Sequence, residues 1–197
     1  MLNLLLRFYD PLKGHVFFDG RDIRCFEKDE LRSRFGTVLQ NDHIFADSVA
    51  ENISLGRDIP EERTASAAGE AGAYEFINPF EDGFNHIVSA GGADLSGGQR
   101  QRLLIARALA GDPEVLVFDD AASALDYQTE SKIREAIGKR SGMTMIVIAQ
   151  RISQVMNLDH ILVMDGGRII GEGNHEKLLE TCPEYLDIYN TQMGERD

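Results

Sequence analysis

The residues whose chemistry is easiest to argue lie in "LSGGQRQRLLIARAL", residues 95–109. The stretch reads as a helix that starts with two glycines, although glycine costs a helix interior about 1 kcal/mol relative to alanine. One reading is structural: Ser96 with Gln99 fits a capping box, in which each side chain satisfies a free backbone N–H. That leaves Gly97 and Gly98 without a purpose. The other reading is chemical. A helix N-terminus offers unpaired N–H groups and the positive end of the macrodipole, and two residues without side chains let a phosphate reach the backbone. Taken alone, these four residues fit both readings.

Other polar residues stand where a site would need them. Gln40 follows "TVL", Asp119 and Asp120 end "EVLVFDD", and Gln150 follows "IVIA". Each apolar run reads as a buried strand, and parallel sheets bind ligands beyond the carboxyl ends of their strands. One polar strand end is ordinary. Three of them, with a phosphate-type helix start, describe a site that handles an anion, a metal and water.

The elements that position these residues follow from pattern. "GHVFFDGRDI" puts Asp19-Gly20 between β-formers, a hairpin signal, and "HILVMDGGRIIGEG" predicts a second hairpin turning at Asp165-Gly166. "EKDELRSRFG" has helical spacing and a glycine stop. Residues 48–94 are helical and alanine-rich, interrupted by "NPFEDGF", and read as a separate subdomain. A helix over about 128–139, a strand at "MTMIVIA", a helix at "HEKLLE" and a helical tail from Pro183 complete the chain. Apolar strands alternating with helices predict an α/β fold with a mainly parallel sheet.

The totals narrow the class. One hundred and ninety-seven residues suit one domain with an inserted subdomain, and a hydrophobic fraction of 43% supports a real core. A formal charge of −13 and the lack of a long basic run argue against a nucleic-acid partner. Cys25 and Cys182 have no metal-type spacing and read as two thiols. No apolar run reaches the ~18 residues of a membrane span.

The ordered motifs resemble those of the ATP-binding cassette (ABC) ATPases, specifically the nucleotide-binding domains of ABC exporters. "LSGGQ" resembles the family signature, "VLVFDD" the Walker B strand, "SALD" the D-loop, Gln40 in "VLQND" the Q-loop and "IVIAQRIS" the switch strand. The resemblance implies a RecA-like core from residues 1–47 and 95–197, with 48–94 as the helical subdomain. It implies ATP and Mg²⁺ as cofactors, with Asp119 on the metal. Gln40 would link the metal and the attacking water to a transmembrane part. Asp120 would stand at the general base, Gln150 at the switch position against the γ-phosphate, and Asp126 in the D-loop. Ser96, Gly97, Gly98 and Gln99 would grip a γ-phosphate bound mainly on an opposing cassette. The implied partners are the transmembrane domain of an exporter and a second cassette, and the implied location is the cytoplasmic face of a membrane.

Three departures qualify this. No G-x-x-x-x-G-K-[ST] run exists, so the backbone cradle and lysine that hold phosphates are missing. The chain alone is therefore expected to bind ATP weakly and to lack a central strand, exposing apolar surface and unpaired backbone. Asp120 stands where catalytic members have glutamate, which withdraws the carboxylate by roughly one carbon–carbon bond. Gln150 stands where the family has histidine; an amide can donate to phosphate but cannot carry a proton. Both losses flank the same γ-phosphate and resemble the degenerate protomer of a heterodimeric exporter. Ala90 replaces a polar residue that related exporters carry before the signature. Arg100, Arg102 and Arg107 are expected to form ion pairs within the subdomain, while His86, His160 and His175 read as structural. A scaffold without ATPase activity, or an ABC ATPase acting on DNA or ribosomes, would be the competing classes.

Overall fold

The computed structural model describes residues 1–39, 41–119, 133, 135, 137–138, 140 and 142–194. The chain divides into two compact units, Met1–Ile146 and Val147–Asp197.

The first unit opens with a single turn, α1 (Leu2–Leu5), then the hairpin β1 (Phe17–Phe18) and β2 (Arg21–Asp22). Its turn residues Asp19 (φ 46°) and Gly20 (φ 76°) are both left-handed, as a tight hairpin turn demands and as the Asp-Gly pair predicts. Ile23, Phe26 and Leu31 form a small core beneath it, with Val16, Phe18 and Phe35 packed alongside. Arg7 donates to the carbonyl of Phe26 at 2.9 Å, tying the end of α1 to this core.

Helix α2 (Lys28–Ser33) ends before the glycine expected to stop it. Gly36 instead lies inside β3 (Phe35–Val38). A Cβ there would sit 2.4 Å from the carbonyl oxygen of Ala108 and 2.9 Å from Cγ of Pro113. The glycine therefore admits a helix onto the strand and has nothing to do with ending α2. Strand β3 pairs in parallel with β4 (Val115–Asp119), in register from Phe35 opposite Val115 to Val38 opposite Phe118. Val115, Leu116, Val117 and Phe118 are all buried, as an apolar run covered on both faces must be. Strand β5 (Thr144–Ile148) follows β4 in the order β3-β4-β5. Among the described residues it has one strand neighbour, and residues 145–148 are only half-buried.

Between β3 and β4 the chain is helical: α3 (Val49–Ser54), α4 (Glu61–Glu70), α5 (Tyr74–Ile77) and α6 (Gly97–Ala110). Helices α3 and α4 pack on α6, whose last eight residues, from Leu103, are all buried. Ala67, Ala68, Ala71 and Ala73 have no exposed surface, so the alanine-rich pattern marks close packing within the unit. Residues 133, 135, 137 and 138 are helical, within the span predicted as a helix.

The second unit contains α7 (Ile152–Val155), the hairpin β6 (Ile161–Asp165) and β7 (Arg168–Gly173), then α8 (His175–Thr181) and α9 (Pro183–Met193). The hairpin turns one residue later than expected. Asp165 pairs with Arg168, and the loop is Gly166-Gly167, with φ 52° and 77°. Both left-handed positions thus fall to glycine, which pays no Cβ penalty there. Ile152, Ile161, Leu178, Cys182 and Tyr185 form the core of this unit. Cys25 is exposed and Cys182 buried, and both are free thiols. Among the described residues no helix is long and apolar enough to cross a membrane.

Candidate functional site

The start of α6 is built by local hydrogen bonds. Ser89 N–H donates to Asp94 Oδ1 at 3.0 Å, and Gly91 (φ 70°) and Gly92 (φ 64°) bend the chain back toward the helix. Gly91 N–H also donates to the carbonyl of Ile44 at 2.8 Å, and buried Leu95 anchors the entry. The capping box is complete: Gln99 N–H donates to Ser96 Oγ at 3.2 Å, and Ser96 N–H donates to Gln99 Oε1 at 2.8 Å. Those two bonds account for Ser96 and Gln99. The N–H groups of Gly97 and Gly98 have no hydrogen-bond partner among the described residues, and no acidic side chain occupies the first turn. The capping reading is realised, and the cap uses the Ser96 and Gln99 side chains while leaving two half-buried glycine amides unpaired. The Ser96 hydroxyl also donates to no described residue, because the cap uses that oxygen only as an acceptor.

Asp119 is the last residue of β4 and is half-buried. The parallel register sets Val38, the last residue of β3, beside Phe118, the residue before Asp119. Gln40 itself, Asp120 and Asp126 lie outside the described residues. Asp42 bonds back to the end of β3: its Oδ2 accepts from Leu39 N–H at 2.9 Å, and its own N–H donates to the Leu39 carbonyl at 3.3 Å. Asp42 was missed as a shaping residue, although an Asp just after a strand is a turn signal. A single carboxylate such as Asp119 suits Mg²⁺, which takes one or two carboxylates and completes its shell with phosphate oxygens and water. Among the described residues no group of three or more His, Cys, Asp or Glu side chains is arranged to hold a metal unaided. A phosphate-borne metal fits this donor set.

Gln150 lies in the second unit, just after β5, and is exposed. Its side chain makes no hydrogen bond to a described residue, whereas its carbonyl accepts from Gln192 Nε2 at 2.9 Å. Gln192 Oε1 in turn accepts from Ile152 N–H at 2.8 Å. Nothing in the local sequence around Gln192 marks that role, because its partners lie 40 and 42 residues away.

Arg107 corrects the expectation of ion pairs. It makes none with a described residue and donates to neutral acceptors instead: the Asn52 carbonyl at 2.7 Å, the His43 carbonyl at 2.8 Å and Asn52 Oδ1 at 3.1 Å. Burial pushes the Arg107 guanidinium below its ordinary pKa, yet an arginine starts so high that it stays cationic. Arg102 lies over the Phe76 ring at 5.4 Å, and the Arg100 side chain runs past Gly92. The ion pairing of this region belongs to Glu70, which meets Arg63 at 2.8 Å and Arg140 at 2.7 Å. The histidines have local partners: His86 stacks on Phe80, His160 meets Glu172 and His175 meets the Tyr185 hydroxyl.

Comparison with known proteins gives the family of the chain. A family model described as ABC transporter matches residues 1–123. The chain is 44% identical over 196 residues to an ATP-dependent lipid A-core flippase of Vibrio parahaemolyticus, covering 98% of this chain and 34% of that protein. It is 46% identical over 182 residues to a leukotoxin translocation ATP-binding protein of Mannheimia haemolytica, covering 91% and 26%. It is 44% identical over 195 residues to an alpha-hemolysin translocation ATP-binding protein of Proteus vulgaris, covering 98% and 27%. A solved structure of a bacterial Atm1-family ABC exporter with ATP bound matches 100% of this chain and 35% of that one, at 37% identity and a TM-score of 0.93. The chain thus spans about a third or less of the length of the relatives it matches.

Proposed function

Because the chain belongs to the ABC transporter family, we propose that it is an ATP-binding cassette coupling MgATP binding and hydrolysis to export across a membrane. The observation that carries this reading is the pair of unpaired glycine amides at the start of α6, left over after Ser96 and Gln99 are satisfied. Gly97 and Gly98 N–H, with the Ser96 hydroxyl, grip the γ-phosphate of a nucleotide seated on a second cassette, and Gln99 fixes the turn. Asp119 holds Mg²⁺ through one carboxylate, and Asp126 lines the junction between cassettes. Gln40 relays the state of metal and water to a transmembrane partner at the cytoplasmic face. The exposed Phe45 and Ile87 lie on segments joined by the bridge between Ser48 and Ile87, and they suit contact with that partner.

This chain's own Walker B side hydrolyses poorly. Asp120 carries its carboxylate one methylene short of the usual glutamate, and Gln150 donates a hydrogen bond but no proton. This chain contains no G-x-x-x-x-G-K-[ST] run among its 197 residues. Its productive role is to complete a partner's site, as in a heterodimer of unlike cassettes.

The test is a reconstituted pair of this cassette with one carrying Glu and His at the matching positions. Gly98→Asp in this chain sets an anion against the partner's γ-phosphate and lowers turnover by about a hundredfold or more, the scale of losing an oxyanion donor. Asp120→Asn leaves turnover within about twofold. A Gly98→Asp pair with parental turnover would refute the amide cradle. A large loss from Asp120→Asn would refute the weak-site reading.

A further inference from the structure

We propose that Gln192, in the last turn of α9, is a positioning residue for Gln150. The proposal rests on the reading of Gln150 as the residue facing this chain's own γ-phosphate. Gln192 Nε2 donates to the Gln150 carbonyl at 2.9 Å, and its Oε1 accepts from Ile152 N–H at 2.8 Å. Arg151 between them is extended (φ −103°, ψ 126°), so residues 150 and 152 present a carbonyl and an amide to the same side. The planar amide of Gln192 meets both, as the N–H and C=O of a single residue on a neighbouring strand would.

Each end of the clamp is anchored. Ile152 begins α7, where its N–H has no helical partner, and its side chain is buried against Ile161, Leu178, Cys182 and Tyr185. Tyr185 belongs to α9, so the helix carrying Gln192 is rooted in the same core that holds Ile152. The backbone of Gln150 is therefore held while its side chain makes no hydrogen bond to a described residue and is free to reach a ligand. A glutamine whose two polar atoms are both spent on backbone two residues apart, beside a candidate phosphate-contacting residue, sets where that residue stands. The C-terminal helix becomes part of the nucleotide machinery through one side chain.

The experiment uses the assembled cassette pair and reads two quantities: hydrogen exchange at Ile152, and affinity of this chain's own site for a fluorescent ATP analogue. Gln192→Ala should speed Ile152 exchange about tenfold. Gln192→Glu, which keeps the acceptor and loses the donor, should retain most of that protection. Gln150→Ala and Gln192→Ala should each weaken nucleotide binding several-fold, and the double variant should bind no worse than Gln150→Ala alone. Gln192→Glu should bind as weakly as Gln192→Ala despite its protected amide, a split that a purely structural role would not produce. Additive losses in the double variant, or unchanged Ile152 exchange in Gln192→Ala, would overturn the role of Gln192. A Gln150→Ala variant that binds like the parent would instead overturn the reading of Gln150, and the proposal with it.

Discussion

Replacing Asn52 by alanine should remove the joint between α6 and the segment that follows β3. Asn52 has no exposed surface. Its Oδ1 accepts from Phe45 N–H at 2.8 Å and from Arg107 Nη2 at 3.1 Å. Its Nδ2 donates to the carbonyls of Phe45 at 3.0 Å, Ser48 at 3.1 Å and Asp47 at 3.3 Å. A bond to a charged group contributes roughly 1.5–3 kcal/mol and a neutral one about 1 kcal/mol. The Arg107 and Phe45 bonds are the costly losses, because one leaves a buried cation short of an acceptor and the other undoes a reciprocal backbone pair. The Ser48 carbonyl keeps Asn52 N–H at 2.9 Å, and residues 45–47 are exposed and can rehydrate. The sum is a loss of about 3 kcal/mol. At about 2–4 °C per kcal/mol for a domain of this size, the Tm of Asn52→Ala should fall by about 6–12 °C. Calorimetry reads the shift, and amide exchange at Phe45 reads its origin. A Tm loss under about 2 °C, or unchanged exchange at Phe45, would refute the reasoning.

Gly36→Ala should destabilise the first unit by about 1–3 kcal/mol in urea unfolding, because its Cβ would meet the backbone of Ala108, which cannot swing aside. Gly167→Val should cost the second unit about 1–3 kcal/mol by forcing a β-branched residue into left-handed backbone at φ 77°, read as a lower urea midpoint. On the first hairpin, the hydrogen bond from Arg24 and then that from His15 hold the Asp22 carboxyl well below the usual aspartate range. Its folded pKa is thus depressed, so its stabilising contribution is present above the ordinary aspartate value near ~4 and is lost as pH falls through the lower folded value. Carboxyl NMR should show no Asp22 inflection between about pH 5 and 3, and Arg24→Ala should bring that inflection back toward about 4.

What could be read from sequence was short-range. The capping box joins Ser96 to a residue three positions on, and the Asp19-Gly20 turn needs only two left-handed residues between β-formers. Such features depend on covalent neighbours, so spacing alone specifies them. The apolar run of β4 likewise announces burial on both faces before any partner is known. The second hairpin slipped by one residue because "DGG" offers two glycine pairings, and only the pairing of Asp165 with Arg168 chooses between them. Tertiary structure alone decided the rest. Gly36 is required by a carbonyl of α6, Arg107 serves carbonyls 55 and 64 residues distant, and Gln192 reaches back to backbone 40 and 42 residues away. Each of those roles belongs to a group brought near by packing. A side chain's partner is fixed by its position in space, which residue type and local spacing do not encode.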